Sequence, residues 1–139
     1  MGYRFLDHMT DAYIEAEGNT LEEAFENAAK GLVDTMIDIN SIEAKKQVKI
    51  NASGYDLEEL LYNWLEEVLL KLTVDRMALK EFKVRIDKKE DYMLDAEAYG
   101  EELDINKHNY KVEIKAVTYH LMEVKEEDGK YKVRFLLDL

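Results

Sequence analysis

Two stretches of this chain carry apolar residues at the spacing of a helical face, and the apolar residues around them mostly alternate. From Thr20 to about Ile37 the apolar positions are Leu21, Ala24, Phe25, Ala28, Ala29, Leu32, Val33, Met36 and Ile37. Steps of three and four place such residues on one side of an α-helix. Thr20 followed by Glu23 has the form of a capping box, in which a hydroxyl and a carboxylate satisfy amide donors that the first turn leaves free. The second stretch repeats the design: Asp56 and Glu59 stand at its start, and Leu57, Leu60, Leu61, Trp64, Leu65, Val68, Leu69 and Leu72 form one face.

Elsewhere the period is two, which sends successive side chains to opposite faces of a strand. Val48, Ile50 and Ala52 alternate in this way, as do Phe82, Val84 and Ile86, then Leu94, Ala96 and Ala98, and finally Tyr131, Val133, Phe135 and Leu137. Tyr3 to Leu6, Ala12 to Glu17 and Val117 to Lys125 also read as strands, with Asp128-Gly129 marking a hairpin turn before the last. Strands in consecutive runs with two helices between them indicate an α+β fold: a mostly antiparallel sheet with both amphipathic helices packed on one face. At 139 residues, nearly half of them hydrophobic, the chain is expected to form a single compact domain over residues 1–139. No repeat, linker or low-complexity segment interrupts the pattern.

Charge limits what such a domain binds unaided. Holding a nucleic acid by its phosphates requires clustered Lys and Arg, and this chain has a formal charge of -12 with only Lys45-Lys46 and Lys88-Lys89 as adjacent basic pairs. Strong direct nucleic-acid binding is not expected. Such an acidic surface is steered instead toward a basic partner protein, although most of its carboxylates need do no more than maintain solubility. There is no apolar run long enough to span a bilayer, Arg4 and Asp7 stand where a signal peptide is apolar, and cysteine is absent. A cytoplasmic protein with no membrane contact is therefore expected.

The familiar catalytic signatures are missing: there is no phosphate-binding glycine loop, no Gly-x-Ser-x-Gly elbow and no histidine pair at metal-binding helical spacing. Two aspartates stand apart from the charged background, Asp11 before Ala12-Tyr13-Ile14 and Asp138 between Leu137 and Leu139. Asp138 and the α-carboxylate of Leu139 lie within reach of one cation. If the first and last strands are neighbours, Asp11 brings a third carboxylate. Hard oxygens of this kind suit Ca²⁺ or Mg²⁺ better than zinc, and the alternative is an acidic patch with no fixed ion. His8, His108 and His120 are widely separated, and each alone is more often structural than a ligand. His120 lies between Tyr119 and Leu121 on an expected strand, facing away from both, where its ring could orient a neighbouring carboxylate. A metal-dependent hydrolase built on His8, Asp11, His120 and Asp138 is the competing enzymatic reading.

Four separated stretches carry a more specific signal. Tyr3-Arg4-Phe5-Leu6-Asp7-His8-Met9-Thr10-Asp11 resembles the opening motif of the archease family, with Met9 in an interval where that family usually has Thr-Ala. Asn19-Thr20-Leu21-Glu22-Glu23-Ala24-Phe25-Glu26-Asn27-Ala28-Ala29 resembles its first-helix signature. Ala96-Glu97-Ala98-Tyr99-Gly100-Glu101 leads through Lys107-His108 to Ile114-Lys115-Ala116-Val117-Thr118-Tyr119-His120, the run most specific to the family. Val133-Arg134-Phe135-Leu136-Leu137-Asp138-Leu139 resembles its usual ending.

The resemblance implies a strand-helix-strand-strand module with an inserted extension. It also implies an accessory protein, not an enzyme: one that assists a tRNA-splicing RNA ligase, promoting its guanylylation and multiple turnover, with GTP and catalytic metals held mainly by the ligase. A chaperone-like modulator of a tRNA cytosine methyltransferase is the second role that the resemblance suggests. By resemblance, a divalent cation is held by Asp11, Asp138 and Leu139. Lys115 is then the expected charged contact with the ligase or its nucleotide, with His120 the second candidate for contact or activation.

Overall fold

The computed structural model describes residues 2–6 and 11–139. Its strands are β1 (Gly2–Leu6), β2 (Asp11–Gly18), β3 (Lys46–Gly54), β4 (Met77–Lys88), β5 (Tyr92–Glu102), β6 (Ala116–Glu127) and β7 (Lys130–Asp138); its helices are α1 (Leu21–Met36) and α2 (Leu57–Thr73). The α+β class and the antiparallel pairing are as expected. The expected single sheet is instead two, ordered β1-β2-β7-β6 and β3-β5-β4. Each helix packs on its own sheet and touches an edge strand of the other, α1 meeting β4 and α2 meeting β6. Period-two patterning assigns faces to a strand but no partners, so the division into two sheets is not written in it.

The chain order β3-α2-β4-β5 is itself a strand-helix-strand-strand unit, inserted into a second unit made of β2, α1, β6 and β7. In both, the first strand pairs with the last, and the last also pairs with the third element's strand. The two units share local chemistry at a constant offset of 36 residues, Gly18 to Gly54 and Asn27 to Asn63. Thr20 Oγ1 accepts the Glu23 amide at 3.0 Å, and Asp56 Oδ1 accepts the Glu59 amide at 2.8 Å. The Glu23 and Glu59 carboxylates accept the amides of Asn19 and Tyr55 at 3.1 and 3.0 Å. Asn27 and Asn63 each donate to a strand carbonyl, those of Glu17 and Ser53, at 2.8 and 2.7 Å. An internal repeat is thus present where the sequence reading found none. Its identical residues include Ile14 and Ile50 and Ala16 and Ala52 within the strands, and they are densest at the strand-to-helix elbow, where backbone satisfaction demands particular side chains.

Trp64, Phe25, Phe135, Ile14 and Leu32 are among the fully buried side chains of one core. The Trp64 indole N–H donates to the Phe25 carbonyl at 3.0 Å, tying α2 to α1, and its ring meets Phe82 edge-on at 5.9 Å. Glu26 reaches from α1 to accept the Val84 amide at 2.9 Å, which covers a donor on the edge strand β4. At the β6–β7 turn Asp128 and Gly129 both have positive φ, 55° and 76°, as a two-residue hairpin of this twist requires. No helix among the described residues is long and apolar enough to cross a membrane.

Candidate functional site

Asp11 opens β2 and Asp138 closes β7, and the antiparallel register makes them direct partners. Cross-strand partners project their side chains from the same face, with Cβ atoms roughly 5 Å apart. Asp138 is exposed, Asp11 and Leu139 half-buried. Ala116 of β6 is the other register partner of Asp138, and the Lys115 amide donates to the Asp138 carbonyl at 2.8 Å. The exposed Lys115 side chain therefore stems from backbone anchored to the same corner as the two aspartates and the terminal residue.

One carboxylate on the same sheet face has a structural task. Glu15, two positions along from Tyr13 and paired in register with Arg134, is buried. Arg4 Nε and Arg134 Nε reach its two oxygens at 2.9 and 2.8 Å. Burial pushes the Glu15 carboxyl up, yet the two guanidiniums outweigh it and hold the group below its ordinary value. Glu15 is thus a structural carboxylate. Among the described residues no three His, Cys, Asp or Glu side chains converge as a cage for a metal ion. A cation held here would take oxygens from the Asp11 and Asp138 side chains and from Leu139, and hard oxygen donors of that kind fit Ca²⁺ or Mg²⁺.

His120 lies apart from this corner. Between the pairs Thr118–Leu136 and Glu123–Arg134, β6 places Tyr119, His120, Leu121 and Met122 opposite the single residue Phe135. Leu121 takes φ 62° within this bulge. The alternation expected of a regular strand is lost, and Tyr119, His120 and Leu121 are all exposed. The regular pairing on which the expected facing of His120 rests is interrupted at this point. His8 lies outside the described residues.

A buried histidine–carboxylate hydrogen bond was not part of the sequence-based expectation. His108 is fully buried; its Nδ1 accepts the Asp104 amide at 3.0 Å, so Nε2 carries the hydrogen that is shared with Glu101 Oε2 at 2.9 Å. Glu101 also accepts from Lys107 Nζ at 2.9 Å and from the Glu43 amide at 3.0 Å. These donors, His108 first, bring its carboxyl down to about 2. The arrangement locks the 103–115 connection onto β5, which is the structural role expected of a lone histidine. Its signal was the Gly100-Glu101 and Lys107-His108 motif.

Comparison with known proteins places the chain. The Archease protein family (MTH1598/TM1083) matches residues 3–139. This chain belongs to the archease family. It is 42% identical over 137 residues to the protein archease of Sulfolobus acidocaldarius, covering 99% of this chain and 98% of that one. Its identity to the archease of Pyrococcus abyssi is 41% over 135 residues, covering 96% and 95%. The solution structure of Methanobacterium thermoautotrophicum protein 1598 superimposes with a TM-score of 0.86 at 40% identity over 99% of both chains. The crystal structure of a Thermotoga maritima archease, described as a possible chaperone, shares the fold at a TM-score of 0.62 and 19% identity, covering 98% of this chain and 96% of that one. The nested units are thus the archease fold, and the acidic corner is built where that fold brings its first long strand beside its last.

Proposed function

We propose that this archease is an accessory protein of a tRNA-splicing RNA ligase, speeding the ligase's guanylylation and supporting its multiple turnover. The observation that carries the reading is the register of Asp11 with Asp138, beside Leu139 and Lys115, in a chain of this family. A divalent cation bound at this corner supplies a compact positive centre for oxygen ligands. The chain's own residues do the rest. Asp11 and Asp138 orient carboxylates on one face, Lys115 presents an ammonium at its border, and the backbone hydrogen bond from Lys115 to Asp138 fixes their separation.

The excess of 31 acidic over 19 basic residues steers the protein to a basic surface and away from direct phosphate contacts, so GTP and RNA belong to the ligase. Activation then consists in binding the guanylylation-competent conformation of the ligase more tightly than its alternatives. The test is transfer of labelled GMP from GTP to the purified ligase. Substoichiometric archease is expected to raise the rate several-fold, and an unchanged rate at excess archease refutes the reading.

A further inference from the structure

Among the described residues, five of the nine exposed large hydrophobic side chains, Tyr55, Leu70, Val74, Tyr119 and Leu121, belong to the ends and outer side of α2 or to the bulge of β6. Single exposed apolar residues are ordinary, but clustering on two adjoining elements is not. The elements meet where the inserted unit touches the edge of the outer sheet. Between them runs a groove of about 390 Å³, whose apolar lining includes Leu69, Leu70, Ile114 and Val117.

Higher on the same seam the rings of Tyr62 and Tyr119 stack at 4.2 Å and 5°. Glu66 joins the two parts, because it lines the groove and also neighbours Tyr62. Burial and then Glu66 raise the Tyr62 hydroxyl; burial and then Glu59 raise that of Tyr119. The positive φ of Leu121, in an exposed segment where no core packing demands it, is backbone strain of the kind found at binding surfaces.

We propose that this α2–β6 seam is a docking surface for the partner ligase, and that it receives a segment carrying an apolar side chain flanked by arginine. Charge selects the occupant. Among the described residues Glu59, Glu66 and Glu113, all bordering the seam, form no ion pair with a side-chain cation. A second copy of a chain with charge -12 is repelled there, and so are the phosphates of an RNA whose bases the tyrosines could stack. A guanidinium satisfies both features at once, stacking on tyrosine and pairing bidentately with a carboxylate. Docking along the seam also sets Lys115, which lines the groove, and the adjoining acidic corner against the same partner.

The proposal rests on the ligase reading, and one binding experiment separates the two. Affinity of the protein for the purified ligase is measured by calorimetry for wild type, Leu70→Ser, Tyr119→Ala and Phe5→Ala, with melting curves confirming that each variant folds. Phe5 is the control, exposed at 52% against 53% for Tyr119 but on β1, the opposite edge of the sheet from β6. Loss of about tenfold in Leu70→Ser and Tyr119→Ala, with Phe5→Ala unchanged, is the expected result. Binding should also weaken with salt, less steeply in Glu66→Gln. Wild-type affinity in both seam variants overturns the seam while leaving the ligase reading intact. Failure of wild type both to bind and to stimulate GMP transfer removes the ligase reading and the seam with it. Tyr119-dependent binding of free tRNA overturns the protein occupant in favour of a nucleic acid.

Discussion

Gly18→Ala and Gly54→Ala make the same change at the two equivalent elbows, and the structure predicts a loss of stability at both. Neither glycine has positive φ, so the effect is one of space. A methyl group on Gly18 would lie 2.6 Å from the Ala24 amide nitrogen and from Glu23 Cβ; on Gly54 it would lie 2.4 Å from the Leu60 nitrogen and 2.8 Å from Leu60 Cα. The obstacles include helix backbone, so the first turn itself must move away from the strand. Overpacking of this kind costs about 1–3 kcal/mol. Removing a glycine restricts the unfolded chain and returns only about 0.4–1 kcal/mol. The clash wins, leaving a net loss of about 1–2 kcal/mol at Gly18 and more at Gly54. For 139 residues each kcal/mol is about 3–4 °C in Tm, so Gly18→Ala should melt about 3–8 °C below wild type. Calorimetric melting at fixed pH with chelator present is the assay, and the double variant should lose close to the sum. A variant that melts at or above the wild-type temperature would refute the argument.

Trp64→Phe removes the indole donor to Phe25 and leaves a void in the core. It should cost about 2–3 kcal/mol in urea titration, and a loss below about 0.5 kcal/mol would contradict the packing described. The Glu101 carboxyl is lowered from 4.5 to about 2, so its stabilisation is present above the unfolded value and is lost as pH falls from about 4.5 to about 2. The Tm gap between wild type and Glu101→Gln should therefore be widest above pH 5 and narrow through that window; a gap that stays constant would show that the carboxylate charge is not what matters. Asp11→Asn and Asp138→Asn should each weaken Ca²⁺ or Mg²⁺ binding by tenfold or more, since even an outer-shell partner is worth about 10–100-fold. Calorimetric titration with either ion checks this, and unchanged affinity would remove the proposed cation from the corner.

The helices and their starts were legible because caps and apolar spacing are local signals. Thr20 and Asp56 cap α1 and α2 as read, and every expected strand is present. The pairing of Asp11 with Asp138 was legible only as a condition, since it depends on β2 and β7 being neighbours. Three features lay beyond the sequence. Two sheets replace one because alternation names no partner. The bulge at Tyr119–Met122 exposes His120 because four residues oppose the single Phe135, a mismatch that no pattern within β6 reveals. The Glu101–His108 pair joins residues across a turn whose path is set by tertiary contacts.

Multiple-turnover ligation of a cleaved tRNA by the cognate ligase, with GTP and divalent metal, tests the central claim most directly when run without archease, with wild type and with Asp138→Ala. Wild type is expected to sustain turnover beyond one equivalent of ligase, and Asp138→Ala is not. Turnover unchanged by wild-type archease would contradict the proposed function, and full activity of Asp138→Ala would contradict the assignment of the acidic corner.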